Sequence, residues 1–154
     1  MSESPSEQVV KKSIIIAQNV EMVFRMWTEA ISVWWPAGHS ISGDLETQVF
    51  LEGKVGGRFY ERTPEGVEHD WGAVEVWEPP NHLTFRWYLG SDQTRPTLVD
   101  LQFVPLDKNR TRIDLEHHGP ELIGELWQHR AHIFTSAWDK VLSSLDQFHR
   151  SRLS

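Results

Sequence analysis

The 154-residue chain contains no cysteine. That absence removes disulfides, thiol catalysis and thiolate metal sites together, and it accords with a reducing compartment, so a cytoplasmic location is expected. No apolar run approaches the ~20 residues that cross a bilayer, so no membrane span is expected. The N-terminal MSESPSEQ lacks the apolar centre of a secretory signal and reads as a disordered arm over residues 1–8. Positive charge is scarce as well: the formal net charge is -7, and the 15 Lys and Arg are scattered. Without a basic stripe nothing displaces counterions from a phosphate backbone, which argues against nucleic acid as a partner. There is no Gly-x-Ser-x-Gly nucleophile motif. Gly53, Gly56 and Gly57 turn a hairpin rather than open a helix, so they form no phosphate loop.

Tryptophan, by contrast, is abundant, with eight copies beside seven Phe and only two Tyr. Each buried indole N–H wants a partner, so a core gains less from Trp than from aliphatic side chains. Two readings follow: a Trp-rich core, or the flat walls of an apolar cavity. They meet at Trp34-Trp35-Pro36-Ala37-Gly38-His39-Ser40, where two indoles precede a proline and an imidazole follows.

Periodicity supplies the elements. Val9 to Ala17 is a β-branched run and reads as a strand. Asn19 is placed to cap a helix in which Val20, Val23, Phe24 and Trp27 share one face. A second short helix over Ala30 to Trp35 stops at Pro36. Strands are then expected over Thr47–Glu52, Arg58–Arg62, Val67–Trp77, Leu83–Trp87, Leu98–Val104 and Thr111–His117. Short turns separate most of them, which makes antiparallel neighbours. Val67–Trp77 contains Gly72, so a bulge is expected there. A helix from Pro120 to about Arg150 carries Ile123, Trp127, Phe134, Val141, Leu145 and Phe148 on one face, widened by Trp138. The class is α+β, one domain over residues 9–150. A curved antiparallel sheet wraps the long helix, and a cavity remains between the sheet and the two short helices.

Several segments carry a resemblance to a known family. They are Trp34-Trp35-Pro36, the turn Val55-Gly56-Gly57-Arg58-Phe59-Tyr60-Glu61, Trp71-Gly72 with Val74, and Trp77-Glu78-Pro79-Pro80 with Leu83, Phe85 and Trp87. Thr111-Arg112 leading to His117 completes the set. Over residues 9 to 149 the chain resembles the START-related, Bet v 1-like superfamily (SRPBCC, helix-grip fold), in the branch named after the activator of heat-shock protein 90 ATPase. The resemblance implies a helix-grip fold with a cavity. Members of the superfamily include lipid and hormone carriers, aromatic polyketide cyclases and stress-related binding proteins. The resemblance also leaves a chaperone-interacting, ATPase-activator-like module as a second alternative; chaperone activation in eukaryotes uses additional segments, so nothing else in the sequence supports that partner.

The expected activity is binding of a small hydrophobic ligand, aromatic or lipid-like, between sheet and C-terminal helix. Trp35, Phe59, Trp71, Trp87 and Phe134 are the expected walls, and His39, Glu61 and His69 the candidate polar groups. Trp35 is expected to face the cavity while Trp34 seals its helix against the sheet. Alternation turns Glu61 inward with Phe59, where desolvation raises a carboxylate's pKa unless a cation such as Arg86 or Arg130 restores its charge. In that setting Glu61 is either a base, a ligand anchor or an ion-pair partner. An enzyme of the cyclase or hydrolase type, using a pocket carboxylate or histidine, is the alternative. His129 and His132 lie at i and i+3 but lack a third ligand, so no metal is expected. No cofactor is implied. An edge strand, or the region of Trp77 if exposed, leaves a homodimer open.

Overall fold

The computed structural model describes residues 9–88, 97–119 and 124–152; of residues 124–132 only the helical backbone is described. Three consecutive isoleucines end β1 (Val9–Ile16). Asn19 then redirects the chain: its Oδ1 accepts the Met22 N–H at 2.9 Å and caps α1 (Val20–Glu29). Val23, Phe24, Met26 and Trp27 bury one side of this helix. A single turn, α2 (Ile31–Trp34), follows and ends with Trp35 in extended backbone, the conformation that a residue before proline prefers.

Six further strands follow: β2 (Gln48–Leu51), β3 (Arg58–Arg62), β4 (Glu68–Glu78), β5 (His82–Trp87), β6 (Thr97–Asp107) and β7 (Arg110–His118). All seven form one antiparallel sheet in the order β1-β7-β6-β5-β4-β3-β2. β1 therefore pairs with the last strand, Val9 opposite His118 and Ile16 opposite Thr111, and α1 and α2 carry the chain across to the far edge. Alternation sets the inner face: Val99, Leu101 and Phe103 on β6 and Ile113, Leu115 and His117 on β7 are all buried.

β4 has two irregularities. Phe59 pairs with Gly72 while Tyr60 pairs with Asp70, so Trp71 is the extra residue. This bulge lets Trp71 and Val74 both point inward, which strict alternation forbids. A second shift leaves Glu75 unpaired and Val76 half-buried outside, and returns Trp77 to the inner side opposite Leu83. Bulges of this kind bend a strand and raise its twist, and they help the sheet curl into a half-barrel. Gly72 is required for close approach, because a Cβ there would lie 2.0 Å from the Arg86 carbonyl oxygen.

The concave side holds α3 (Gly124–Ser151), which buries Phe134, Trp138, Val141, Leu142 and Leu145. Lys12 pairs with Asp139 at 2.8 Å, tying α3 to β1, and the Ser144 hydroxyl donates to the Trp34 carbonyl. This is the expected α+β helix-grip architecture. The arm at residues 1–8 and the helix start at Pro120 lie outside the described residues, as do the side chains of Ile123 and Trp127. Among the described residues no helix is long and apolar enough to cross a membrane. Trp77 does not form an exposed patch: it is half-buried, packs on Phe24 at 5.2 Å and covers Gly53.

Candidate functional site

The site begins where α2 stops. Gly38 has φ of 86°, a left-handed conformation that suits glycine, and it turns the chain back toward Trp35. The His39 carbonyl then accepts the Trp35 indole N–H at 2.7 Å. With its edge held by that loop, the Trp35 ring lies over an aromatic cluster, 5.1 Å from Trp71, 6.0 Å from Phe59, 6.1 Å from Trp87 and 6.3 Å from Trp138. Trp34 turns the other way. It donates to the Met26 carbonyl at 2.8 Å and packs on Trp27 at 5.0 Å, so it seals α2 against α1 rather than against the sheet.

The rings fill most of the space between sheet and helix. What remains is a cleft of about 260 Å³ at one side of α3. Trp35, Trp87, Phe134, Trp138, Ala137 and Val141 make its walls, and Gly38, His39 and Ser40 its rim. Ile133, 57% exposed, forms the lip. The cavity expected from the fold takes the form of a lateral cleft, because indoles and Phe side chains from both layers occupy the interior.

Of the eight expected site residues, Trp35, His39, Trp87 and Phe134 come together around the cleft. Phe59 and Trp71 lie behind its wall, fully buried and stacked on each other at 5.5 Å. His69 sits opposite Glu61 in the β3–β4 register, half-buried and away from the cleft.

Glu61 departs from expectation in its chemistry. It is fully buried and faces inward, yet its partners are N–H groups rather than a cation. Oε1 accepts from Trp71 Nε1 at 2.6 Å and from the Ile41 N–H at 2.5 Å, and Oε2 accepts from the Ser42 N–H at 3.1 Å. Burial pushes its pKa up, but the Trp71, Ile41 and Ser42 donors outweigh burial and hold the carboxyl below the ordinary range. Arg86 pairs with Glu75 at 3.1 Å on the outer face, and the Arg130 side chain lies outside the described residues. Glu61 is therefore an ionised anchor for the loop that follows the rim. A base needs a free lone pair aimed at substrate, and this carboxylate spends its oxygens on the loop and on Trp71.

His39 is the one titratable side chain lining the cleft among the described residues. Burial, and then the charge of Lys140, hold its pKa below the ordinary value, so the ring is neutral at neutral pH. Beneath the wall lies His117, which no expected site included. It is completely buried; Nδ1 accepts the Trp138 indole N–H at 2.8 Å, and Nε2 lies 2.6 Å from Thr97 Oγ1. With Nδ1 accepting, the network assigns the proton to Nε2, and Thr97 in turn donates to the Trp87 carbonyl at 3.2 Å. Burial, aided by His118, lowers the His117 pKa to about 3. The strand alternation that turned Ile113 and Leu115 inward already placed His117 on the same face. Trp138 and Val141 follow Phe134 at helical spacing in the same way.

This wiring decides what the cleft offers. The N–H groups of Trp35 and Trp138 are both engaged inside the protein, so these rings present π faces and C–H edges. No grouping of three metal-binding side chains occurs among the described residues, and the side chains of His129 and His132 lie outside them.

A curled antiparallel sheet gripping a C-terminal helix, with an apolar cleft beside that helix, defines a helix-grip protein. The chain belongs to the family described as activator of Hsp90 ATPase homolog 1-like protein, whose model matches residues 17–150. Among solved structures, it is similar to the anthrahydroquino-gamma-pyrone synthase Txn09, at 30% identity over 88% of each chain with a TM-score of 0.57. It also shares its fold with the self-sacrificing resistance protein CalC from Micromonospora echinospora, at 22% identity over 95% of this chain and 96% of that one, TM-score 0.71. An HSP90 activator from Plasmodium falciparum matches the fold at 18% identity over 73% of each chain, TM-score 0.54. No curated protein sequence matches the chain.

Proposed function

We propose that the protein binds a small, predominantly aromatic ligand in the cleft between Trp35, Trp87 and α3. The observation that carries this reading is an open apolar cleft in which two of the indole walls, Trp35 and Trp138, have already used their N–H groups. A ligand that stacks needs no donor from those walls, whereas a polar one leaves its own groups unpaired. At about 260 Å³ the space is near the lower end of small-molecule sites and suits a molecule of two or three fused rings. The likeness to a synthase of fused-ring compounds supports the same ligand class. Tryptophan fluorescence titrated with aromatic compounds and with fatty acids is the test. Saturable quenching at micromolar aromatic compound, abolished by Ala137→Trp, is expected. No saturable response to any aromatic compound overturns the reading.

A catalytic reading has one observation in its favour: a neutral imidazole, His39, at the mouth of the cleft, in a chain similar to a synthase of known structure. A neutral imidazole can accept a proton from a bound ring system. His39→Gln then abolishes turnover while leaving ligand affinity within about twofold; an equal loss of both makes His39 a binding group.

A further inference from the structure

A second depression, wider and of about 600 Å³, borders the cleft and shares His39, Ile133 and Ala137 with it. Its chemistry differs. Thr135 and Ser136 bring hydroxyls, and Lys140 brings an ammonium group. On α3, Ser136 and Lys140 are four residues apart and therefore stack along one stripe. They flank the Ile133–Ala137 stripe that forms the lip of the cleft, so one ligand can lie across the lip and meet both environments.

Charge makes this stripe distinctive. Asp139 also borders the depression, but its carboxylate is 2.8 Å from Lys12 and is already compensated. Lys140 is exposed and has no ion-pair partner among the described residues. It lies close enough to His39 for its charge to bear on the imidazole. The chain as a whole carries a net charge of -7, so an anion is repelled by most of the surface. An uncompensated cation beside an apolar cleft is the local exception.

We infer that the ligand is an amphiphilic anion, with its ring system in the cleft and a carboxylate, sulfonate or phosphate group seated on Lys140 and Ser136 across the Ile133–Ala137 lip. This deepens the binding reading above and rests on it. The anion's oxygens accept from the ammonium and from the hydroxyl, while neutral His39 adds a hydrogen-bonding edge without adding charge.

Two fluorescent probes with the same ring system isolate the charge: 1-anilinonaphthalene-8-sulfonate, and N-phenyl-1-naphthylamine, which lacks the sulfonate. Lys140→Met is expected to weaken the sulfonate probe about three- to fivefold, the size of a surface charge pair, and to leave the neutral probe unchanged. Lys140→Glu weakens the sulfonate probe further. Lys108→Met, at a remote exposed turn, leaves both unchanged. An unaltered sulfonate affinity in Lys140→Met, or equal losses for both probes, overturns the inference while the cleft reading stands. If neither probe binds the wild-type chain, or Ala137→Trp blocks neither, the cleft reading falls and the anion site falls with it.

Discussion

The Trp138 indole N–H donates to Nδ1 of His117 across 2.8 Å, joining the C-terminal helix to the last strand beneath the cleft. That bond exists only while His117 is neutral, because an imidazolium has no acceptor nitrogen. With a pKa near the ordinary 6.5 in the unfolded chain and about 3 in the folded one, His117 gains its extra proton on unfolding. Its contribution to stability is therefore complete above about pH 6.5 and declines as pH falls toward 3. Between pH 7 and pH 5 the loss is about 2 kcal/mol. His117→Gln keeps a polar, hydrogen-bonding side chain at this position without titrating. Urea unfolding at the two pH values should show the wild type losing about 2 kcal/mol more than the variant; identical pH dependence would contradict the assignment.

Glu61 predicts a different kind of failure. Glu61→Gln keeps the shape but turns one acceptor oxygen into an amide that faces N–H groups. A loss of about 3 kcal/mol is expected, given the usual value of hydrogen bonds to a charged group and the penalty for a buried unpaired donor. Because the folded pKa is depressed, this contribution is present above the ordinary carboxylate range and is lost as pH falls below it. Hydrogen exchange reads the local effect: the Ile41 and Ser42 amides should lose protection in the variant before the β6–β7 amides do. Unchanged exchange at those two amides rules out the anchoring role.

The indoles can be ranked by their partners. Trp27 Nε1 is buried without a hydrogen-bond partner among the described residues, whereas Trp138 Nε1 is paired. Replacing Trp27 by Phe removes an unsatisfied donor, which offsets the packing it loses, and stability should stay within about 1 kcal/mol of wild type. Trp138→Phe removes a partner from His117 as well as packing, and should cost about 3 kcal/mol or more. Chemical denaturation of the two variants checks the order; a larger loss at Trp27 reverses it.

At Gly72 even one methyl group is too many, since its Cβ would sit 2.0 Å from the Arg86 carbonyl oxygen. Gly72→Ala must push β4 away from β5 in the middle of the sheet. A destabilisation of about 3 kcal/mol, or failure to fold, is expected. By contrast Gly43→Ala, at a position with open space around it, pays only for its left-handed φ, about 1 kcal/mol. Comparable melting temperatures for the two variants would show that β4 and β5 are not in contact there.

Much of this molecule was readable from periodicity. Val20, Val23, Phe24 and Trp27 mark a helix face, and Val99, Leu101 and Phe103 with Ile113 and Leu115 mark a strand pair, because apolar spacing reports which side of an element meets the core. Gly72 within the long run Val67–Trp77 announced a bulge, but nothing in that run announced the second shift at Glu75 that leaves Val76 outside. Trp35 was expected to face the cavity because Pro36 and Gly38 turn the chain there, whereas the direction of the His39 ring followed from no local pattern.

Contacts between distant elements were not legible in the same way. Glu61 takes its donors from a loop about twenty residues earlier and from the next strand, and the choice of N–H groups over arginine depends on how that loop folds back. His117 meets Trp138 twenty-one residues later only because the sheet curls around α3. The sequence by itself determined the order of elements and the inward faces, since both follow from local backbone geometry and solvent exclusion. Tertiary structure alone decided which indoles line the cleft, which lie behind it, and how much room is left. Those outcomes depend on sheet curvature and on the mutual packing of rings from several elements, and no local period encodes either.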